Sequence, residues 1–221
     1  MTALPTHHPD PDMLLGYAGG GLREAKAAFV ATHLAFCPAC RSVVAGFEAH
    51  CGRLLEALPE AGTGTGTGTG GGGGAGGSRL DAMLDRVLAL LDEAAPEPAP
   101  AGPAPAGDVP LPLRGWRGFP CGERAWNWIA PGVALSEWTV EAAGTRACLL
   151  RMEPGAPVPA HRHTAEELLL VLTGSFVDEY GTYGLGDVAA YRGGTEHHAA
   201  GGPDATCVCL FMLDGDIVFL G

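Results

Sequence analysis

Gly155-Ala-Pro-Val-Pro-Ala-His161-Arg-His163-Thr-Ala-Glu-Glu167-Leu-Leu-Leu-Val-Leu-Thr-Gly174 decides the fold of the C-terminal half. His161 and His163 stand two apart, so on a strand they point to one face. Glu167 opens the next apolar run and aims into the same cavity, whereas Glu166 misses that spacing and faces outward. Further on, Gly186-Asp-Val-Ala-Ala-Tyr-Arg-Gly-Gly194-Thr-Glu-His197 carries another imidazole to a strand start after a Gly-rich turn. Three imidazoles and a carboxylate suit a divalent transition metal such as zinc, manganese, iron or nickel. The surrounding runs 126–129, 133–140, 146–152, 167–172, 187–191 and 206–213 are short and separated by Gly, Pro or Asp clusters. Such spacing predicts an all-β sandwich or barrel. Cys207 and Cys209 belong to a buried strand, because alternate positions of one strand rarely have disulfide geometry.

A second donor cluster lies near the N-terminus, in His33-Leu-Ala-Phe-Cys37-Pro-Ala-Cys40. On a helix, His33 and Cys37 are four apart and share a face. Cys40 follows across a proline suited to open the next helix. Three nitrogen and sulfur donors at one point lack one ligand of a tetrahedral zinc site. Around them, residues 10–58 read as helical: 12–17, stopped by three glycines; 22–36, with Ala25, Phe29, His33 and Phe36 at helical spacing; and 38–58, ended by Pro59. So small a helical unit has little core, and a metal is a natural staple for it.

Of the 35 glycines and 18 prolines in the 221 residues, many lie in two short tracts, which favours two domains. Residues 1–60 with 78–94 form the helical zinc-binding portion, 61–77 a flexible Gly/Thr-rich insertion, 95–110 a Pro/Ala linker, and 111–221 the β portion. Within 78–94, Leu80, Met83, Leu84, Val87, Leu88 and Leu91 make one amphipathic stripe, to fold back on the helices or to dock on a partner. The formal charge is −12, and Lys26 is the only lysine. Such a chain is ill suited to direct nucleic-acid binding, so a role in transcription would run through a protein partner. Seven cysteines and no signal peptide point to a reducing, cytoplasmic setting, and no apolar run is long enough for a membrane span.

The two glycine-bounded stretches resemble the two motifs of the cupin superfamily, a double-stranded β-helix or jelly-roll barrel. Every defined position of the first motif is present. In the second, Arg192 replaces the usual proline and Gly201 the common asparagine. The resemblance favours His197 over His198 as last ligand, giving a cupin metal set of His161, His163, Glu167 and His197. The whole arrangement, with His8 nine residues ahead of Tyr17, resembles the ChrR-type zinc-binding anti-sigma factors. That resemblance implies zinc on His8, His33, Cys37 and Cys40, with His7 as the alternative to His8, and a second divalent metal, again zinc, in the cupin. It further implies that the helical module grips an extracytoplasmic-function sigma factor and keeps it from RNA polymerase core. The cupin would be the sensor of singlet oxygen or organic peroxide. The alternative is a cupin metalloenzyme, dioxygenase-like or an isomerase, with an accessory zinc domain; no catalytic residue is assigned.

Overall fold

The computed structural model describes residues 4–57, 126–139 and 146–220. These residues all belong to one compact unit, Met1–Ala57 with Asp108–Gly221. The tract 61–77, the amphipathic segment 78–94, the linker 95–110 and residues 111–125 lie outside the described residues. Three helices come first: α1 Pro11–Ala18, α2 Glu24–Phe36 and α3 Pro38–Ala57. Asp10 caps α1, its carboxylate accepting the Asp12 N–H at 2.8 Å with Pro11 in the first turn. Cys37 is extended (φ −106°, ψ 102°), as a residue before proline must be, and this breaks α2 from α3. Arg41 donates to the Leu34 carbonyl, which α2 leaves unpaired at its end.

Twelve strands follow among the described residues: β1 Asn127–Ala130, β2 Val133–Thr139, β3 Arg146–Met152, β4 His161–His163, β5 Glu167–Thr173, β6 Phe176–Val177, β7 Thr182–Tyr183, β8 Val188–Tyr191, β9 Glu196–His197, β10 Ala200–Gly201, β11 Cys207–Leu213 and β12 Ile217–Phe219. They form a six-stranded sheet in the order β1-β2-β3-β11-β5-β8 and two three-stranded sheets, β10-β6-β7 and β12-β4-β9. All pairs are antiparallel. Gly174, which closes the first motif, has φ +65°, and a Cβ there would lie 2.5 Å from the Thr206 carbonyl oxygen. Only glycine fits so close an approach.

β5 and β11 are apolar at every position where a half-solvated strand would alternate. The reason is that the large sheet is covered on both faces. Leu169, Val171, Cys209 and Phe211 point into the barrel with Met152 and Phe176. Leu168, Leu170, Leu172, Leu210 and Met212 point the other way, onto Ala25 and Phe29 of α2. A smaller cluster of Leu14, Val30, Cys37, Cys40 and Val44 joins the three helices. Lys26 on α2 bridges Glu166, which faces outward as its spacing implied, and Asp214 at 3.4 Å. Half-exposed pairs of this kind contribute at most about 1 kcal/mol, so the apolar contact carries the packing.

The chain ahead of α1 is strapped to the barrel. The Thr6 and His7 N–H groups donate to Asp187 Oδ1 at 2.6 and 2.9 Å, and the Gly184 N–H donates to Oδ2 at 2.8 Å. The Val188 N–H donates to the His7 carbonyl at 3.1 Å. Burial alone would push the Asp187 pKa up, but these donors outweigh it and hold the carboxyl below its ordinary value.

Phe29→Ala is expected to lower unfolding free energy by about 3–5 kcal/mol, because its side chain is fully buried against the sheet. Leu15→Ala, at a position 46% exposed, should cost less than about 0.5 kcal/mol. Denaturant melts of the metal-loaded proteins check both. A depressed carboxyl pKa stabilises above the unfolded value, near ~3.9, and that stability drains as pH falls through the folded value. Asp187→Asn should therefore flatten the fall in unfolding midpoint below about pH 4, and equal acid slopes in both proteins would exclude this role.

Candidate metal centres

α2, the Cys37 break and the strap bring His8, His33, Cys37 and Cys40 together. One donor atom from each lies within 4.8 Å of all the others. His8 Nδ1 is 3.5 Å from Cys37 Sγ and 3.4 Å from Cys40 Sγ. Sulfur and nitrogen ligands of one tetrahedral zinc ion stand about 3.5 Å apart. The Cys40 N–H points at Cys37 Sγ at 3.4 Å, so the first turn of α3 orients that sulfur. His33 is fully buried, and its Nδ1–H donates to the Gly186 carbonyl at 2.8 Å. This bond fixes the tautomer and leaves Nε2 as a bare lone pair, buried without a hydrogen-bond partner. Burial lowers the His33 pKa, with only partial opposition from the Gly186 carbonyl, so the ring is neutral. Burial and the adjacent Cys37 sulfur push Cys40 up to about 12. Two buried sulfurs and an orphaned imidazole nitrogen are what a bound cation would satisfy, so these residues fit zinc.

His7, the alternative fourth ligand, is turned away. Its ring packs on Tyr183 with centroids 4.6 Å apart, and Nδ1 lies 3.5 Å from Asp187 Oδ2. Because Asp187 holds the backbone of Thr6 and His7, the next residue, His8, is the one presented to the sulfurs.

The barrel gathers His161, His163, Glu167 and His197, all buried, with donor atoms again within 4.8 Å of one another. β4 supplies the first two side by side, β5 begins with Glu167, and β9 pairs His197 opposite His161. His197 Nε2 is 3.0 Å from His161 Nε2 and 2.9 Å from His163 Nε2. The His161 Nδ1–H donates to the Pro159 carbonyl at 2.8 Å, and His197 Nδ1 faces the Asp178 carboxylate at 3.5 Å. Both outer contacts place the ring proton on Nδ1, so the inner nitrogens turn lone pairs toward each other. A cation between them resolves that repulsion. His163 Nδ1 and Glu167 Oε2 lie 2.9 Å apart without the alignment of a hydrogen bond. Burial lowers the His161 pKa, and burial with the flanking His161 and His163 brings His197 down to about 4. Burial raises Glu167 against the pull of His163. This set therefore also fits a divalent metal.

His198 takes no part: it is exposed, its ring and backbone N–H paired with Glu179. Sequence reasoning missed Asp178 and Tyr191. The Tyr191 hydroxyl donates to Asp178, and its ring lies 4.1 Å from that of His197 and 5.8 Å from that of His163. Burial and Asp178 raise the Tyr191 pKa, which keeps the phenol protonated as the donor. Asp178 sits in a tight turn with no local pattern to reveal it; Tyr191 shares the inward face of β8 with Ala189, and that alternation was the one available signal.

Residues 119–215 match the family described as ChrR Cupin-like domain. Over 215 residues the chain is 32% identical to the anti-sigma-E factor ChrR of Cereibacter sphaeroides, covering 96% of this chain and 92% of that protein. It also superposes on the anti-sigma chain in the crystal structure of Rhodobacter sphaeroides SigE in complex with ChrR, with a TM-score of 0.68, 29% identity, and coverage of 94% of this chain and 98% of that one. A relative matched along nearly its whole length is thus a regulator, which decides against the metalloenzyme alternative. At 32% identity over nearly its whole length to that protein, the chain belongs to the family of ChrR-type anti-sigma factors.

Proposed function

We propose that this protein sequesters an extracytoplasmic-function sigma factor through its helical portion and releases it under oxidative stress. The observation that carries this reading is the full-length likeness to a chain crystallised with its sigma factor. Leu15, Val43 and Leu54 on the helices are 46%, 43% and 56% exposed, large apolar side chains available to a protein partner. The net charge of −12 favours a protein partner over nucleic acid. Residues 1–60 with 78–94 are the sigma-binding portion in this reading, and 111–221 is the sensor. Its setting is the cytoplasm, with the sigma factor. No helix among the described residues is long and apolar enough to cross a membrane.

His8, His33, Cys37 and Cys40 would hold zinc, which supplies folding free energy at such a site. The four side chains then fix the angle between α2 and α3, and with it the partner surface. His161, His163, Glu167 and His197 would hold a second divalent metal, zinc in our reading, as the place where singlet oxygen or an organic peroxide acts. Asp178 and Tyr191 hold the His197 ring in position there.

Metal analysis of the full chain should give two metals per protein, one lost on replacing Cys37 and Cys40 by Ala. Size exclusion with the cognate sigma factor should show co-elution that the same double variant abolishes; loaded protein that never co-elutes would sink the anti-sigma reading. Organic hydroperoxide added to the complex should free the sigma factor. His161→Ala should bind it as before yet withstand the oxidant, and unchanged release from that variant would remove the barrel from sensing.

A further inference from the structure

Two cavities beside β1 and β12 share part of their apolar lining. The inner one, about 50 Å³, has His161, Glu167 and His197 on its wall, with Leu150, Met152 and Phe176 among its apolar sides. A water needs about 10–15 Å³ of such space, so the inner cavity takes a head group and a few carbons. The outer one, about 210 Å³, shares Ile129, Leu135, Phe211, Ile217 and Phe219 with the inner and includes one carboxylate, Asp216. Ile129 and Phe219 are large apolar side chains left 41% and 55% exposed. Phe219 reaches back until its ring is 6.1 Å from that of His161. An apolar channel that ends on convergent polar donors is the usual form of a small-molecule site.

We propose that the barrel binds a small amphiphile of the medium-chain carboxylate class. Its oxygen head lies at the wall of His161, Glu167 and His197, and its aliphatic tail passes out between Ile129, Ile217 and Phe219. Charge selects the head. Three neutral imidazoles and one carboxylate leave a divalent cation with one uncompensated positive charge among apolar walls, where unpaired charge is costly. A monoanionic oxygen ligand neutralises it. The shared apolar wall selects the tail, since each buried methylene gains free energy equivalent to about fourfold in affinity. The proposal rests on the second-metal reading above.

Calorimetry on the full-length protein tests it, after metal analysis has established the loading of the barrel. Butanoate, hexanoate and octanoate should bind with affinity rising about fourfold per methylene, and octylammonium at least tenfold more weakly than octanoate. Ile129→Glu and Phe219→Glu, each first measured to keep wild-type metal content and melting, should weaken octanoate at least tenfold. A loaded barrel that gives no chain-length dependence, or binds octylammonium equally, overturns the proposal alone. A barrel without metal overturns the second-metal reading and this proposal with it. Phe219-dependent self-association without octanoate binding would overturn it in favour of a contact between copies.

Discussion

One buried hydrogen bond, from His33 Nδ1–H to the Gly186 carbonyl at 2.8 Å, is the constraint on which the arrangement of helices and barrel turns. It sets the tautomer of a buried imidazole and ties α2 to the turn before β8. Gly186 cannot be replaced without cost. Its φ is +82°, and a Cβ there would lie 2.7 Å from Phe36 Cβ and 2.8 Å from Pro5 Cγ. The same turn holds Asp187, which gathers the Thr6 and His7 N–H groups and so delivers His8. Two of the four donors of the N-terminal cluster, His8 and His33, are therefore aimed by the barrel, whereas Cys37 and Cys40 are set by the break before α3 and its first turn.

β8 continues from that turn to Tyr191, whose hydroxyl meets the Asp178 that faces His197. Both donor clusters thus lean on one short strand and its leading turn. The large sheet reinforces this arrangement by burying both of its faces, with Phe29 pressed on one and the histidine cavity behind the other. Packing, rather than the Lys26 ion pairs, keeps α2 there, because side chains buried on two sides leave no solvated alternative.

Local patterns were legible in the sequence. Helical spacing placed His33 and Cys37 on one face, and strand spacing placed His161 with His163, because both depend only on backbone period. Strand runs were recognisable too, to within a residue or two at most ends. The choice between His7 and His8 was not, since adjacent residues in an extended segment differ only in which long-range partner claims the backbone. Asp187, far along the chain, makes that claim. Asp178 and Tyr191 escaped for a similar reason: their roles arise when β6, β8 and β9 are brought together by strands distant in sequence. Glu166 and Glu167 could be told apart because a one-residue step reverses the face of a strand.

Lys26 gives the packing of α2 an unexpected use. It is the only lysine in the sequence, and it lies between Glu166 and Asp214 at the edge of the helix–barrel contact. Those carboxylates raise its pKa against the opposing effect of burial, so the docked amine is a poor nucleophile. In molecules where α2 has left the barrel, the same amine becomes an ordinary solvated lysine. The one lysine side chain is therefore a chemical reporter of helix docking: its acylation slows while Glu166 and Asp214 hold it.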